Sequence, residues 1–399
     1  MISSFDLNLR HLDAVVAARR TGSITAASNL VNLSQPSLTQ AIGHLERQLG
    51  HSLFDRHPGG VVATPAGELF AHRIERAVEC IAESCRALQR RAKVRPLPYP
   101  ERHITMTQIR AFLAVADEGS HARAARALGL AQPSVHRAAK ELELNIGVAL
   151  FARSGALIRL TPTGERAARG LRLALAELRA GLDDLAALRG RGAGRIVVGS
   201  LPHPRARILP SALASFADRH PEAKIVIVDG PYTELVGALR DGQIDFLVGA
   251  LREDPRADVA EEALFADDLH IVAAARHPLA GSDPGPGDLA AYPWVIAAPG
   301  APMRLKWEAI FAGAPVPDRT IQCGSILAAR GLLLAGDWLA LMSRDQFRVE
   351  QDAGLLAPIG PAVPNSSRLI GLTTRPDWRP TRAQAALVEE IRAAARNRY

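Results

Sequence analysis

Two sets of polar side chains in this 399-residue chain have the types and spacing to read the edges of DNA bases. Gln35, Ser37, Thr39, Gln40 and His44 occupy one predicted helix, and Gln132, Ser134, His136, Arg137 and Lys140, with Glu141, occupy another. Gln makes paired hydrogen bonds to adenine and Arg to guanine, so such a helix suits the major groove of double-stranded DNA. Arg56 and Arg153 lie just beyond these helices in short predicted strands and suit phosphate contacts. A third set lies further on: Ser200, Leu201, Pro202, His203 and Arg205; Gly249 and Ala250; Pro299, Gly300 and Arg304; and Ser325. These residues sit where predicted strands end and helices begin, where free N–H groups meet a ligand. Arg205 beside His203, or Arg304, could hold a carboxylate.

Other chemistry has little support. No nucleophile elbow, phosphate-cradling loop, dinucleotide fingerprint or paired metal-ligand cluster falls in a suitable place. The expectation is a protein that is not an enzyme, with no catalytic residue, metal site or cofactor. Trp294 and Trp338 could stack on a ring, but their apolar strands favour the core.

The base-reading residues need elements to position them. Leu12, Val15 and Val16, and later Ile109, Phe112 and Leu113, recur at helical spacing, and Gly22 and Gly119 end those helices. Ser23 and Ser120 then cap a short second helix, and Ala27 and Ala124 on it permit close approach of a neighbour. After a tight turn, Ser34 caps the third helix, which starts Gln35-Pro36-Ser37; its counterpart starts Gln132-Pro133-Ser134. Proline is tolerated there because a first-turn N–H has no helical partner. Gly50 and Gly147 stop the third helices, and Leu53-Phe54-x-Arg56 and Leu150-Phe151-x-Arg153 open a β-wing. The layout is a winged helix-turn-helix, present twice.

The doubling is a true repeat. A shift of 97 positions aligns residues 9–68 with 106–165 without a gap, and 20 of the 60 pairs are identical. Between the copies, Arg95-Pro96-Leu97-Pro98-Tyr99-Pro100 excludes a continuous helix. Copy two is less faithful: Ala131 replaces the capping Ser34, a loss of about 1 kcal/mol locally, and His136 replaces Thr39. Each copy runs on into a long helix. Ala168, Leu171, Leu175, Leu178, Leu182 and Leu185 form a seam of coiled-coil spacing, and Phe70, Ile74, Ala77, Ile81, Ser84 and Leu88 a weaker one. The stronger seam is expected to pair subunits, giving a homodimer or homotetramer.

Residues 1–192 carry 26 basic and 17 acidic side chains, a net of +9, whereas residues 193–399 carry 22 and 24, a net of −2. Basic charge confined to the repeat suits a polyanion, since neutralising phosphates releases counterions. Three cysteines make no even disulfide framework, no stretch is apolar enough to span a bilayer, and no secretory leader is evident, so a cytoplasmic protein is expected. From Gly194 short β-branched runs alternate with helices, implying two α/β subdomains, each a parallel sheet with helical crossovers.

Gly22-Ser23-Ile24-Thr25-Ala26-Ala27, Ser34-Gln35-Pro36-Ser37, Leu45-Glu46, Leu49-Gly50, Leu53-Phe54-x-Arg56 and Thr64-Pro65-Ala66-Gly67 together resemble the N-terminal signature of LysR-type transcriptional regulators. That family has one such unit per chain, so the second copy is a departure. The second half resembles the family's effector domain, itself similar to periplasmic solute-binding proteins. Leu201-Pro202, Asp229-Gly230-Pro231, Gly249-Ala250-Leu251 and Gly371-Leu372-Thr373-Thr374-Arg375-Pro376 look closest to regulators of sugar uptake and protocatechuate breakdown. The resemblance implies winged units at 1–64 and 105–161, linker helices at 65–94 and 162–190, a Pro-rich linker at 95–104 and an effector domain at 193–399. Within that domain, subdomain I is expected at about 193–265 and 366–399, and subdomain II at about 266–365. Operator DNA and an organic-anion or sugar effector are the expected partners, with room for RNA polymerase and no role for a membrane. The competing reading is a solute sensor whose repeated front units bind protein instead of DNA.

Overall fold

The computed structural model describes residues 2–94, 99, 102–155, 157–190, 194–252, 254 and 256–397, without the side chains of Arg153 and Ser154. The Pro-rich segment expected at 95–104 falls outside this set at 95–98, 100 and 101.

The first unit runs α1 (Leu9–Thr21), α2 (Ile24–Val31), α3 (Gln35–Leu49), a hairpin of β1 (Phe54–His57) and β2 (Gly60–Ala63), and α4 (Pro65–Ala92). The second repeats it as α5 (Met106–Glu118), α6 (His121–Leu128), α7 (Gln132–Ile146), β3 (Phe151–Ser154), β4 (Leu157–Leu160) and α8 (Pro162–Leu188). The same residues do the same work in both. Gly22 and Gly119 end their helices at φ +63°, and their carbonyls accept the N–H groups of Val61 and Ile158, each at 2.9 Å. This pins each wing to its first helix. Thr64 and Thr161 cap the long helices by accepting from Gly67 and Gly164 at 3.0 and 2.9 Å. Those glycines are needed because a Cβ on either would overlap the carbonyl oxygen of Leu53 or Leu150.

The Ala168-to-Leu185 seam, expected to join subunits, instead packs against the Phe70-to-Leu88 seam of its own chain. The helices run antiparallel: Gly181 lies against Phe70 and Arg73, and Gly170 against Ser84. A stripe of heptad spacing requires a partner, and the duplication supplies one tethered in cis at high effective concentration. The two units consequently share one core, from Leu12 and Leu45 through Phe70 and Ile81 to Phe112, Leu142, Leu171 and Leu178.

Among the described residues, the second half holds two five-stranded sheets. The first, in the order β6 (Lys224–Asp229), β5 (Arg195–Ser200), β7 (Phe246–Ala250), β14 (Arg368–Thr374), β8 (Ala260–Asp267), packs on α9 (Ile208–Arg219) and α15 (Arg382–Arg396) on one face and on α10 (Tyr232–Arg240) on the other. The second is ordered β11 (Thr320–Gln322), β10 (Trp294–Ile296), β12 (Leu339–Ser343), β9 (Leu269–Ala274), β13 (Leu356–Ile359). Around it lie α11 (Pro286–Ala290), α12 (Pro302–Ile310), α13 (Ile326–Ala335) and α14 (Arg344–Asp352). Both sheets are mixed, a correction to the all-parallel expectation: β14 is antiparallel to β7 and β8, and β9 to β12 and β13. The antiparallel strands arise because the chain leaves the first sheet after Asp267, enters the second at Leu269, and returns by β14.

The first sheet's subdomain rides directly on the long-helix pair. Arg73 Nη1 and Arg76 Nη2 donate to the carbonyls of Arg379 and Asp377 at 3.0 and 2.6 Å. From α8, Arg169 and Arg172 reach Asp241 at 2.9 and 3.4 Å.

Candidate nucleic-acid interface and ligand cleft

On α3, Gln35, Pro36, Ser37, Gln40 and His44 are exposed and Thr39 is half-buried, while Leu38, Ala41, Ile42 and Leu45 face the core. The amphipathic helix thereby anchors one face in the core and leaves its polar face open to solvent. Ser34 Oγ accepts from Ser37 N–H at 3.3 Å and shares a 2.7 Å hydrogen bond with the Ser37 hydroxyl. Ser23 is held as the α2 cap, accepting from Ala26 at 3.4 Å. On α7, Gln132, Pro133, Ser134, His136, Arg137 and Lys140 are all exposed over buried Val135, Ala138, Ala139 and Leu142. Ala131 contributes no side-chain cap, as the replacement of Ser34 foretells; Ser120 contributes none either, a correction to its expected role as the α6 cap.

Among the described residues, Gln35, Gln40, Arg56, Gln132 and Arg137 spend no side-chain donor within the protein. His44 packs edge-on against His11, ring centroids 5.5 Å apart, and His136 against His121 at 4.8 Å. Burial, and then the nearby His44, push the His11 imidazole below its ordinary value. Lys140 differs: its Nζ lies 3.1 Å from Glu143 Oε2. Arg56 projects from β1 in the open, and Arg153 occupies the same place in β3, its side chain outside the described set.

The sequence motif Leu-Glu conceals a residue whose purpose only the structure reveals. Glu46 Oε1 accepts the N–H groups of Leu53 and Phe54 at 2.7 and 3.2 Å, and Glu143 Oε1 those of Leu150 and Phe151 at 2.7 and 3.1 Å. Each third helix is thereby tied to the root of its own wing. Identity of these glutamates across the repeat is the one sequence signal that marks them.

The ligand candidates fall into separate groups. Ser200 is buried at the end of β5, and Leu201 packs against Gly249, where a Cβ would crowd its side chain. Ser200, Leu201, Gly249 and Ala250 are thus brought together, with Pro202 and His203 following. His203 is 4% exposed, its Nε2 3.4 Å from Asp267 Oδ1. Arg205 is engaged with Asp229 at 2.7 Å. In the other subdomain, Pro299 and Gly300 are exposed ahead of α12, whose Arg304 bonds Glu308 at 2.7 Å and lies 4.8 Å above the Trp307 ring. Ser325 is exposed and caps α13 through Ala328 N–H at 3.2 Å. Trp294 is core, fully buried, with Nε1 donating to Leu289 O at 3.0 Å.

A junction between the subdomains, unseen in the sequence, gathers around Asp267. It accepts from Ser343 of β12 and from Arg368 Nη2 of β14 at 3.2 Å, beside His203. Burial alone would raise its carboxyl, but His203, Ser343 and Arg368 together outweigh burial and hold it well below the usual carboxylate range. Arg207 of the first subdomain also reaches Asp345 of the second at 3.1 Å.

Comparison with known proteins decides the assignment. The family model for bacterial regulatory helix-turn-helix proteins of the lysR family matches residues 9–68 and again 106–165, and that for the LysR substrate binding domain matches residues 189–396. The chain belongs to the LysR family. It is therefore a DNA-binding transcriptional regulator with an effector-binding domain, and not an enzyme. The HTH-type transcriptional regulator GalR of Pseudomonas putida is 31% identical over 388 residues, 96% of each chain, an alignment long enough to run through both repeats. PcaQ of Agrobacterium fabrum is 28% identical over 299 residues, 74% of this chain and 96% of its own. The same fold recurs in a full-length OxyR variant from Pseudomonas aeruginosa, with TM-score 0.56 and 23% identity, covering 74% of this chain and 97% of that one. ArgP from Mycobacterium tuberculosis gives TM-score 0.56 at 18% identity, covering 73% and 97%. This LysR member thus exceeds those structures by about a quarter of its length, roughly one winged unit with its helix.

Proposed function

We propose that both reading helices of this LysR regulator enter the major groove, α3 through Gln35, Ser37, Thr39, Gln40 and His44, and α7 through Gln132, Ser134, His136, Arg137 and Lys140. Arg56 and Arg153 hold flanking phosphates. The carrying observation is that exposed Gln and Arg donors stand free on helix faces whose opposite sides are core. The effector, an organic anion or a sugar, binds in the cleft between subdomains, against Ser200 to His203, Gly249 and Ala250 on one side and Pro299, Gly300, Arg304 and Ser325 on the other. Arg205 and Arg304 favour a carboxylate by exchanging their present carboxylate partners for the ligand's.

Coupling runs through the subdomain docked on α4 and α8. An effector that binds one arrangement of the two subdomains more tightly shifts the population toward it. The Arg73, Arg76, Arg169 and Arg172 contacts then pass the change to the long helices and to the spacing of α3 and α7. The regulator works in the cytoplasm. Footprinting on DNA from its own upstream region tests the reading: Gln35→Ala or Arg137→Ala should each lower sequence preference by about 1–3 kcal/mol per lost base contact. A footprint unchanged by both would overturn it.

A further inference from the structure

The contacts between the two winged units exchange under the repeat's 97-residue shift. Gly181 lies against Arg73, and Gly170 against Ser84; the shift turns Arg73 into Gly170 and Ser84 into Gly181, so each contact is the image of the other. A second pair does the same. Arg102 bridges Asp13 at 2.9 Å, while Arg110 lies 5.8 Å from the Phe5 ring; Asp13 corresponds to Arg110, and Phe5 to Arg102. A third pair joins corresponding helix ends crosswise, without matching residue for residue. His51, after α3, reaches Leu185 O of α8 at 3.0 Å, and Gln89 of α4 reaches Ile146 O of α7 at 3.0 Å. Contacts that swap in this way define a two-fold relation, the relation that otherwise pairs two identical subunits.

A two-fold pair of reading helices faces two half-sites in opposite orientation. Here the two halves are one chain and are not identical. Gln35 matches Gln132 and Ser37 matches Ser134, but Thr39 matches His136, Gln40 matches Arg137, Gly43 matches Lys140 and His44 matches Glu141. Gln selects adenine and Arg selects guanine. We infer that a single chain reads one complete operator, an imperfect inverted repeat whose halves diverge where Gln40 in one copy corresponds to Arg137 in the other. This inference rests on the DNA-reading role proposed above. The long-helix seam that would recruit a second subunit is already filled, so any further assembly uses other surfaces. A regulator whose two half-sites are read by separate residues can drift in one half without altering the other, which an identical-subunit dimer cannot do.

The test uses the full-length protein and duplex DNA enriched from a random-sequence library. The expected product is an inverted repeat with unequal halves, carrying adenine at one position and guanine at its counterpart. Gln40→Ala should flatten preference roughly ten- to a hundredfold in one half only, and Arg137→Ala in the other half only. A perfect palindrome whose halves both respond to one variant would overturn the inference while leaving DNA reading intact. So would a single half-site indifferent to one of the two variants. Enrichment of no sequence at all would overturn both this inference and the DNA-reading role.

Discussion

Arg73 donates from Nε and Nη2 to the same oxygen of Asp184, at 3.1 and 3.0 Å, across the antiparallel pair of long helices. Both side chains are more than 90% buried, and the remaining Arg73 nitrogen bonds Glu177 at 3.0 Å. Burial raises the Asp184 carboxyl and the Arg73 charge opposes it. Removing one partner from such a pair leaves an uncompensated charge, whereas replacing both by apolar groups of similar volume is often neutral. Arg73→Ala should therefore lower unfolding stability by about 3–5 kcal/mol in urea titrations, and Arg73→Met with Asp184→Leu should recover most of it. An unchanged midpoint for Arg73→Ala would show that the helix pair does not depend on this contact.

Glu46 and Glu143 each satisfy two backbone donors with one oxygen. Glu46→Ala strands the Leu53 and Phe54 N–H groups, for about 1–3 kcal/mol of lost stability, while Glu46→Gln keeps the acceptor. Hydrogen exchange should show the Leu53 amide losing protection in the first variant and retaining it in the second. Equal protection in both would sink the assigned role.

What the sequence disclosed was local. Caps at Ser23 and Ser34, stops at Gly22 and Gly50, and heptad stripes on two long helices are each written within a few neighbouring residues, and these form, whereas the cap expected at Ser120 does not. What it hid was partnership. The stripe from Ala168 to Leu185 declares that an apolar face must be covered but not by which chain, and the cis pairing emerges only in three dimensions. β8 carries no alternating apolar signal, and only Asp268 separates it from β9. The Asp267 junction draws His203, Ser343 and Arg368 from distant parts of the chain, so no spacing could announce it.

Asp183, on α8 where the helix meets the first subdomain, has its carboxyl pushed up to about 6 by burial, then by Asp184 and Asp245. A carboxyl raised in the folded state binds its proton more tightly there, so its contribution to stability is complete below about pH 4 and is lost as pH rises through about 6. Asp183→Asn removes that titration. Stability measured from pH 4 to 7 should fall less steeply in this variant, with a gain of about 1–2 kcal/mol at pH 7 after allowance for partial exposure. An identical slope would exclude Asp183 as its source.

Arg368→Ala withdraws a partner from Asp267 at the subdomain junction. Asp267 is depressed, so its stabilising contribution is present above the ordinary carboxylate value and is lost as pH falls through its lowered one. At pH 7 the variant should lose about 2–4 kcal/mol of unfolding free energy while DNA affinity stays within about twofold. Loss of DNA binding with normal melting would contradict this division of labour.

The groove-reading role of α3 and α7 is tested most directly by the affinity of the full-length protein for duplex from its own upstream region, measured between about 50 and 200 mM salt. The predicted plot of log affinity against log salt falls with a slope of several units; Arg56→Ala reduces that slope by about one, and Gln35→Ala keeps the slope but erodes preference over unrelated DNA. A flat plot, or a preference untouched by Gln35→Ala, would contradict it.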